Sequence, residues 1–199
     1  MKRLSLAILL TFCMMGMAAQ EGIQVLYEGP QPNIYDFAWA YCLQDNGDAE
    51  ECERESLTGL ADALERYAQG EEQSKNVKLT VDKKNGFLCH EWRDGENMQR
   101  IEMCYWNEAD KKHKLVAVSR WCYENGKPAL GQYDGLSFLR YSNATKKMTF
   151  CAAPGFDVEY DNTTYSLPRT GKDITMNKWS KSGQKTQTTL KWNGKGFSK

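Results

Sequence analysis

With 199 residues, and 26 Lys plus Arg set against 26 Asp plus Glu, the chain has the length of one domain and no excess of positive charge. The size argues against two independent cores, and the balance argues against wholesale nucleic-acid binding. Seven cysteines but only two histidines rule out a metal site built on several imidazoles.

The first segment carries Lys2 and Arg3, an apolar run from Leu4 to Phe12, and the small residues Gly16, Ala18 and Ala19 before the polar Gln20. This is the order of a secretory signal peptide over 1–19, cleaved between Ala19 and Gln20. The run is shorter than the roughly 20 residues that a spanning helix needs, so no stable membrane span is expected. A lipoprotein leader ending at Cys13 competes, but bulky Phe12 stands where such leaders carry a small residue. Losing Lys2 and Arg3 leaves 24 bases against 26 acids, a net charge near minus two. The expected location is therefore exported, periplasmic or extracellular.

Six cysteines then remain: Cys42, Cys52, Cys89, Cys104, Cys122 and Cys151. An even number in an oxidising compartment points to disulfides. Pairing of neighbours (Cys42 with Cys52, Cys89 with Cys104, Cys122 with Cys151) asks least of the topology. The alternative is that some, the strand cysteines first, are buried thiols acting as small apolar side chains.

The mature chain, 20–199, is expected to be a single α+β domain, with a helical part over about 33–70 and a β part over about 77–199. Asn33 is a plausible N-cap for a short helix carrying Ile34, Phe37, Ala38, Tyr41 and Cys42 on one face. Asp48 and Glu51 resemble a capping box for a second helix, whose face is Leu57, Leu60, Ala61, Leu64 and Tyr67 and whose stop is Gly70. Together they predict an N-terminal helical hairpin.

From Val77 onward the period changes to two. Turn dipeptides recur at Asn85-Gly86, Asp94-Gly95, Asn125-Gly126, Asp134-Gly135, Ser182-Gly183 and Asn193-Gly194. A two-residue loop at Asn85-Gly86 places Val81 opposite His90 and Leu79 opposite Trp92. The same loop at Asn193-Gly194 places Leu190 opposite Phe197. Strands are expected at 101–106, 115–123, 136–141, 148–152, 156–160, 174–179 and 185–192, within a meander of about eight to ten. Several are apolar on both faces and so need cover on both sides. The fold predicted is a large twisted antiparallel β-meander sheet with the hairpin on one face and its own curl closing the other.

Charge is uneven along the chain. Residues 20–75 hold thirteen acids and three bases, whereas 165–199 hold eight bases and one acid, so an acidic helical segment is expected to face a basic hairpin; the alternative is a basic C-terminal surface for an anionic partner.

Several short motifs dissolve in context. Leu167-Pro168-Arg169-Thr170-Gly171 spells a sortase signal, but the polar, strand-patterned residues after it read as a turn between strands instead. Asn143-Ala144-Thr145 and Asn162-Thr163-Thr164 fit the N-glycosylation pattern and mark surface turns. The acids of 45–51 lack the register of a calcium loop. Cys89 and His90 cannot form a dyad, since adjacent strand residues face opposite ways; His90 reads as a core histidine. Serine-hydrolase elbows, phosphate loops and metalloprotease helices are absent, and no cofactor is expected.

Aromatic richness remains. Exposed rings on a sheet can stack sugars or peptides, and Trp106, Trp121, Tyr105 and Tyr123 are the candidate ligand contacts, with Trp106 and Trp121 expected to be partly exposed. The leader end Ala18-Ala19-Gln20, the stretch Glu102-Met103-Cys104-Tyr105-Trp106-Asn107 and the ending Leu190-Lys191-Trp192-Asn193-Gly194-Lys195-Gly196-Phe197 resemble those of uncharacterised exported proteins of Gram-negative anaerobes. The resemblance implies a compartment and no activity. The function expected is a non-enzymatic module binding a glycan, peptide or protein. Alternatives are an inhibitor or immunity-type protein presenting the loop Asp110–His113, or a hydrolase using Glu91, Glu102 and Asp94.

Overall fold

The computed structural model describes residues 22–44, 51–125, 127–129 and 135–199, with 51–54 as backbone alone. The expected signal peptide and the connection between the two helices, including the Asp48–Glu51 cap, lie outside the described residues. Helix α1 (Ile34–Cys42) follows strand β1 (Ile23–Gln24), and α2 (Glu51–Gln69) follows α1. The β part holds β2 (Val77–Asp82), β3 (Phe87–Asp94), β4 (Asn97–Asn107), β5 (His113–Glu124), β6 (Lys127–Ala129), β7 (Gly135–Ser142) and β8 (Lys147–Cys151). It continues with β9 (Thr163–Ser166), β10 (Ile174–Trp179), β11 (Lys185–Trp192) and β12 (Phe197–Ser198). Among the described residues no helix is long and apolar enough to cross a membrane.

Helix α1 starts where Asn33 predicts. Its side-chain oxygen accepts from the Tyr35 N–H at 2.9 Å, and the Asp36 carboxylate accepts from the Asn33 N–H at 2.7 Å, a reciprocal cap that satisfies two otherwise orphaned donors. Helix α2 ends at Gly70, φ +71, where the Glu71 N–H reaches back to the Arg66 carbonyl at 2.8 Å, the long bond of a Schellman turn.

The strands form two antiparallel sheets where one curling sheet is expected. The larger runs β1-β8-β7-β5-β4-β3-β2 with β6 beside β5, and the smaller runs β12-β11-β10-β9. The alternation on the central strands explains the layering. Leu88, Ile101, Met103, Val116, Val118, Leu139 and Tyr141 point to one side, where they bury against Ile34, Phe37, Tyr41, Leu57, Leu60 and Leu64 of the helices. Phe87, Cys104, Trp106, Leu115, Ala117 and Phe138 point to the other, against Tyr165, Ile174, Met176, Leu190 and Phe197 of the smaller sheet. Both faces are apolar, so both demand cover, and the C-terminal strands supply the second as a separate layer. The acidic helices and the basic C-terminal hairpin therefore lie on opposite faces of the central sheet and do not face each other.

Two registers differ from expectation by two residues. Asp82 pairs with Phe87 and Val81 with Leu88, leaving a four-residue loop over 83–86. The reason is Asp82, whose carboxylate accepts from the Asn85 N–H at 3.1 Å and its amide at 2.9 Å and so opens the turn itself. At the other end Trp192 pairs with Phe197, because the Asn193 side chain accepts from the N–H groups of Lys195 and Gly196 at 2.9 and 3.0 Å. A slip of two keeps every side chain on its face. In β11, Leu190 is accordingly buried while Lys185, Thr189 and Lys191 are exposed.

Residues 156–160 are not a strand. Their backbone is held by Tyr165, whose hydroxyl donates to the Glu159 carbonyl at 3.0 Å and accepts from its N–H at 2.8 Å. The strand lies at β9 instead, with Thr163 and Thr164 buried behind the exposed Asn162. Gly155 sits where a Cβ would meet the Phe197 carbonyl oxygen at 2.3 Å, at φ +93. Gly155→Ala is expected to cost about 2 kcal/mol, read as a lowered urea midpoint.

Candidate functional site

The register brings charged residues into the layer between the sheets. Across β3, β4 and β5 the row Glu91, Arg100, Trp121 runs beside the row Cys89, Glu102, Ser119, all on the face that meets the smaller sheet. Arg100 bridges the two carboxylates. Its Nη1 donates to Glu91, its Nη2 to Glu102, and its Nε to Glu102 at 2.8 Å. The second Glu102 oxygen accepts from the Leu167 N–H at 2.7 Å, and the Ser119 hydroxyl donates to the Tyr165 carbonyl at 2.6 Å. These two bonds fasten the central sheet to the smaller one. Glu102 is 2 % exposed, a burial that a carboxylate tolerates only when its charge is matched.

Aromatic rings close the end of this layer. The Arg100 guanidinium carbon lies 5.4 Å from the Trp121 ring centroid. Tyr123 stands edge-on to Trp121 at 5.1 Å, and Trp179 of β10 stands edge-on to Tyr123 at 6.4 Å. Lys185 sits over the Trp179 ring at 5.5 Å. The indole N–H groups of Trp121 and Trp179 are both buried without an acceptor, whereas a buried indole ordinarily finds one.

Of the four candidate ligand contacts, the structure brings Trp121 and Tyr123 together and separates the others. Trp121 is 9 % exposed, less than expected, because Arg100 and Tyr123 cover it. Trp106 is also buried. It lies at the far end of the same layer, donates to the Lys172 carbonyl at 2.9 Å and packs edge-on against Phe197 at 5.2 Å. Tyr105 is half-buried on the helix side, edge-on to Phe37 at 5.3 Å. Asp94 ends β3 in an exposed turn, away from Glu91 and Glu102. Sequence reasoning passed over Arg100, although Arg100 and Glu102 two apart on a strand must share a face.

The cysteines do not take up the neighbour pairing where they are described. Cys42, Cys89, Cys104 and Cys151 are free thiols. Cys89 stands opposite Glu102 and Cys104 opposite Phe87, a diagonal relation whose Cα atoms lie about 7–8 Å apart in an antiparallel pair, beyond ordinary disulfide reach. Cys122 stands opposite Gln99, and Cys151 opposite Phe138 two strands away. The Cys52 side chain lies outside the described residues. Burial pushes the Cys89 thiol up to about 12, which makes it a poor nucleophile. His90 faces the other way from Cys89, toward Gly59 of α2. It is 5 % exposed, its Nε2 has no partner, and burial holds its pKa down to about 4.

A second polar group lies in the β4–β5 loop. Glu108, Asp110 and His113 offer donor atoms within 4.8 Å of one another. All three are already engaged. Glu108 accepts from Arg140 at 2.9 Å, and Asp110 accepts from the Lys112 and His113 N–H groups and contacts His113 Nδ1 at 2.6 Å. The His113 bond, more than any other, lowers the Asp110 pKa to about 2. With Lys111, Lys112 and Arg140 around it, the group reads as a braced loop, since a cation would have to displace Arg140.

Comparison with protein-family models, with curated proteins and with solved structures finds no match to this chain.

Proposed function

We propose that the chain is an exported, non-enzymatic binding module, covered by a helical hairpin on one face, whose ligand seats at the aromatic end of the layer between its sheets, against Trp121, Tyr123 and Trp179. The observation that carries this reading is the pair of buried indole N–H groups without acceptors beside three clustered rings. A ligand bearing hydroxyl or carbonyl oxygens against a flat apolar face supplies what those donors lack, and glycans and peptides have that chemistry. Export rests on the leader-like order of residues 1–19. The non-enzymatic reading rests on the carboxylates: both Glu102 oxygens are bonded and Glu91 is tied to Arg100, so both serve as partners within the chain and neither is presented to a substrate.

The test is a glycan and peptide array, followed by titration of tryptophan fluorescence with any hit. Trp179→Phe, which removes one orphan donor and keeps a ring, is expected to weaken binding about fivefold to tenfold. Trp106→Phe is expected to leave affinity unchanged. Equal effects of the two substitutions, or a folded protein silent across the array, overturn the reading. A second reading, inhibition of an enzyme through Asp110–His113, is favoured by the three bonds with which Asp110 braces that loop. Retention of inhibition after the loop is exchanged for Gly-Ser counts against it.

A further inference from the structure

Beside the helix pair, on the face of the central sheet away from the layer between the sheets, two aromatic side chains face one ammonium group and a third stacks on one of them. Tyr35 and Trp39, one turn apart on α1, stack with centroids 6.4 Å apart and 4° between their planes, and Tyr67 of α2 leans on Tyr35 at 6.0 Å. Lys83, from the exposed β2–β3 loop, places Nζ 5.2 Å from the Tyr35 centroid and 5.7 Å from that of Tyr67. Among the described residues it is the one cation set over two rings. The carboxylates of Asp36 and Glu65 lie near enough to act on the Tyr35 hydroxyl, and Asp36 also feels Lys83. Ring faces and nearby carboxylates attract the same kind of guest, a soft, weakly hydrated cation. Tyr67 is 39 % exposed, Tyr35 and Trp39 are half-buried, and Lys83 itself is exposed, so solvent reaches both the rings and the ammonium group set over them. The Asp82–Asn85 bonds hold the loop without help from Lys83, which leaves its long side chain able to withdraw.

We propose that Tyr35, Trp39 and Tyr67, backed by Asp36 and Glu65, form an aromatic cage for an organic ammonium group, and that Lys83 occupies it until such a ligand displaces it. The proposal is independent of the ligand seat at Trp121 and Trp179.

Choline is the probe, added to the full chain while Tyr and Trp ring resonances are followed by NMR. Lys83→Ala is expected to bind choline about tenfold more tightly than the parent chain, because the internal competitor is gone. Saturating shifts are expected on Tyr35, Trp39 and Tyr67. Adding Tyr67→Leu to Lys83→Ala is expected to weaken binding about tenfold. The neutral isostere 3,3-dimethylbutan-1-ol, added to Lys83→Ala, is expected to give no saturating shift, a comparison that needs no aromatic variant to fold. Absence of a saturable shift in Lys83→Ala, or an isostere that binds as well as choline, overturns the proposal.

Discussion

Arg100→Met is expected to lower the unfolding free energy by about 3 kcal/mol, the low end of the range for breaking a buried ion pair from one side. The long apolar side chain of methionine fills much of the volume of the arginine stem, so the loss is mainly electrostatic. Glu91 and Glu102 would be left facing each other across neighbouring strands, with side chains only 11 % and 3 % exposed and the exposed Arg93, 3.5 Å from the other Glu91 oxygen, as the counter-charge still in reach. The check is a urea melt in which the midpoint falls while the slope is unchanged. The triple variant Glu91→Gln, Arg100→Met, Glu102→Gln should regain more than half of the loss, because neutral amides carry no repulsion and can still accept the Leu167 N–H. A single-variant loss below about 1 kcal/mol would mean that the cluster is solvated like a surface pair.

His90→Leu is expected to flatten the acid limb of the stability curve. An imidazole in the unfolded chain titrates at its ordinary 6.5, whereas burial keeps His90 neutral in the fold down to about 4. Between those two values the unfolded state binds more protons than the folded one, so stability falls as the pH falls. The full drop from this residue is about 3 kcal/mol. Glu91 pulls the pKa back up but is the smaller influence. Asp82 and Asp110 are lowered from 3.8 to about 2, so their loss begins only at the acid end of this window and is common to parent and variant. Urea melts at intervals from pH 7 to pH 4 should show a steeper descent in the parent chain than in the variant; parallel curves would assign the acid sensitivity to other groups.

The sequence discloses the faces of the strands better than their rows. Alternation in β4 and β5 assigns Ile101 and Met103 to one side and Cys104 and Trp106 to the other, because a period of two is written into the side chains themselves. The row is a matter of loop length, and loop length turned on Asp82 and Asn193, whose side chains open four-residue turns where Asn-Gly alone suggests two-residue ones. Arg100 was hidden for the same reason. It becomes the partner of Glu91 only once the turn is known to be Gly95 and Glu96, with Asp94 opposite Asn97. The second sheet was hidden because β9 is four residues of Thr, Tyr and Ser after a turn, whereas 156–160 has the stronger apolar alternation and yet has its backbone held by the Tyr165 hydroxyl. Cover by a separate layer and cover by a curl leave the same pattern on a strand apolar on both sides. The orphan indoles and the Lys83 cage depend on contacts between distant segments and carry no local signature.

The bond from the Leu167 N–H to Glu102 couples separation of the two sheets to the exposure of a buried carboxylate. Were the C-terminal layer to hinge away as a flap, it would strip a donor from a carboxylate whose side chain is 3 % exposed and expose it to water in the same motion. The two layers are therefore expected to come apart together, in one cooperative unfolding step.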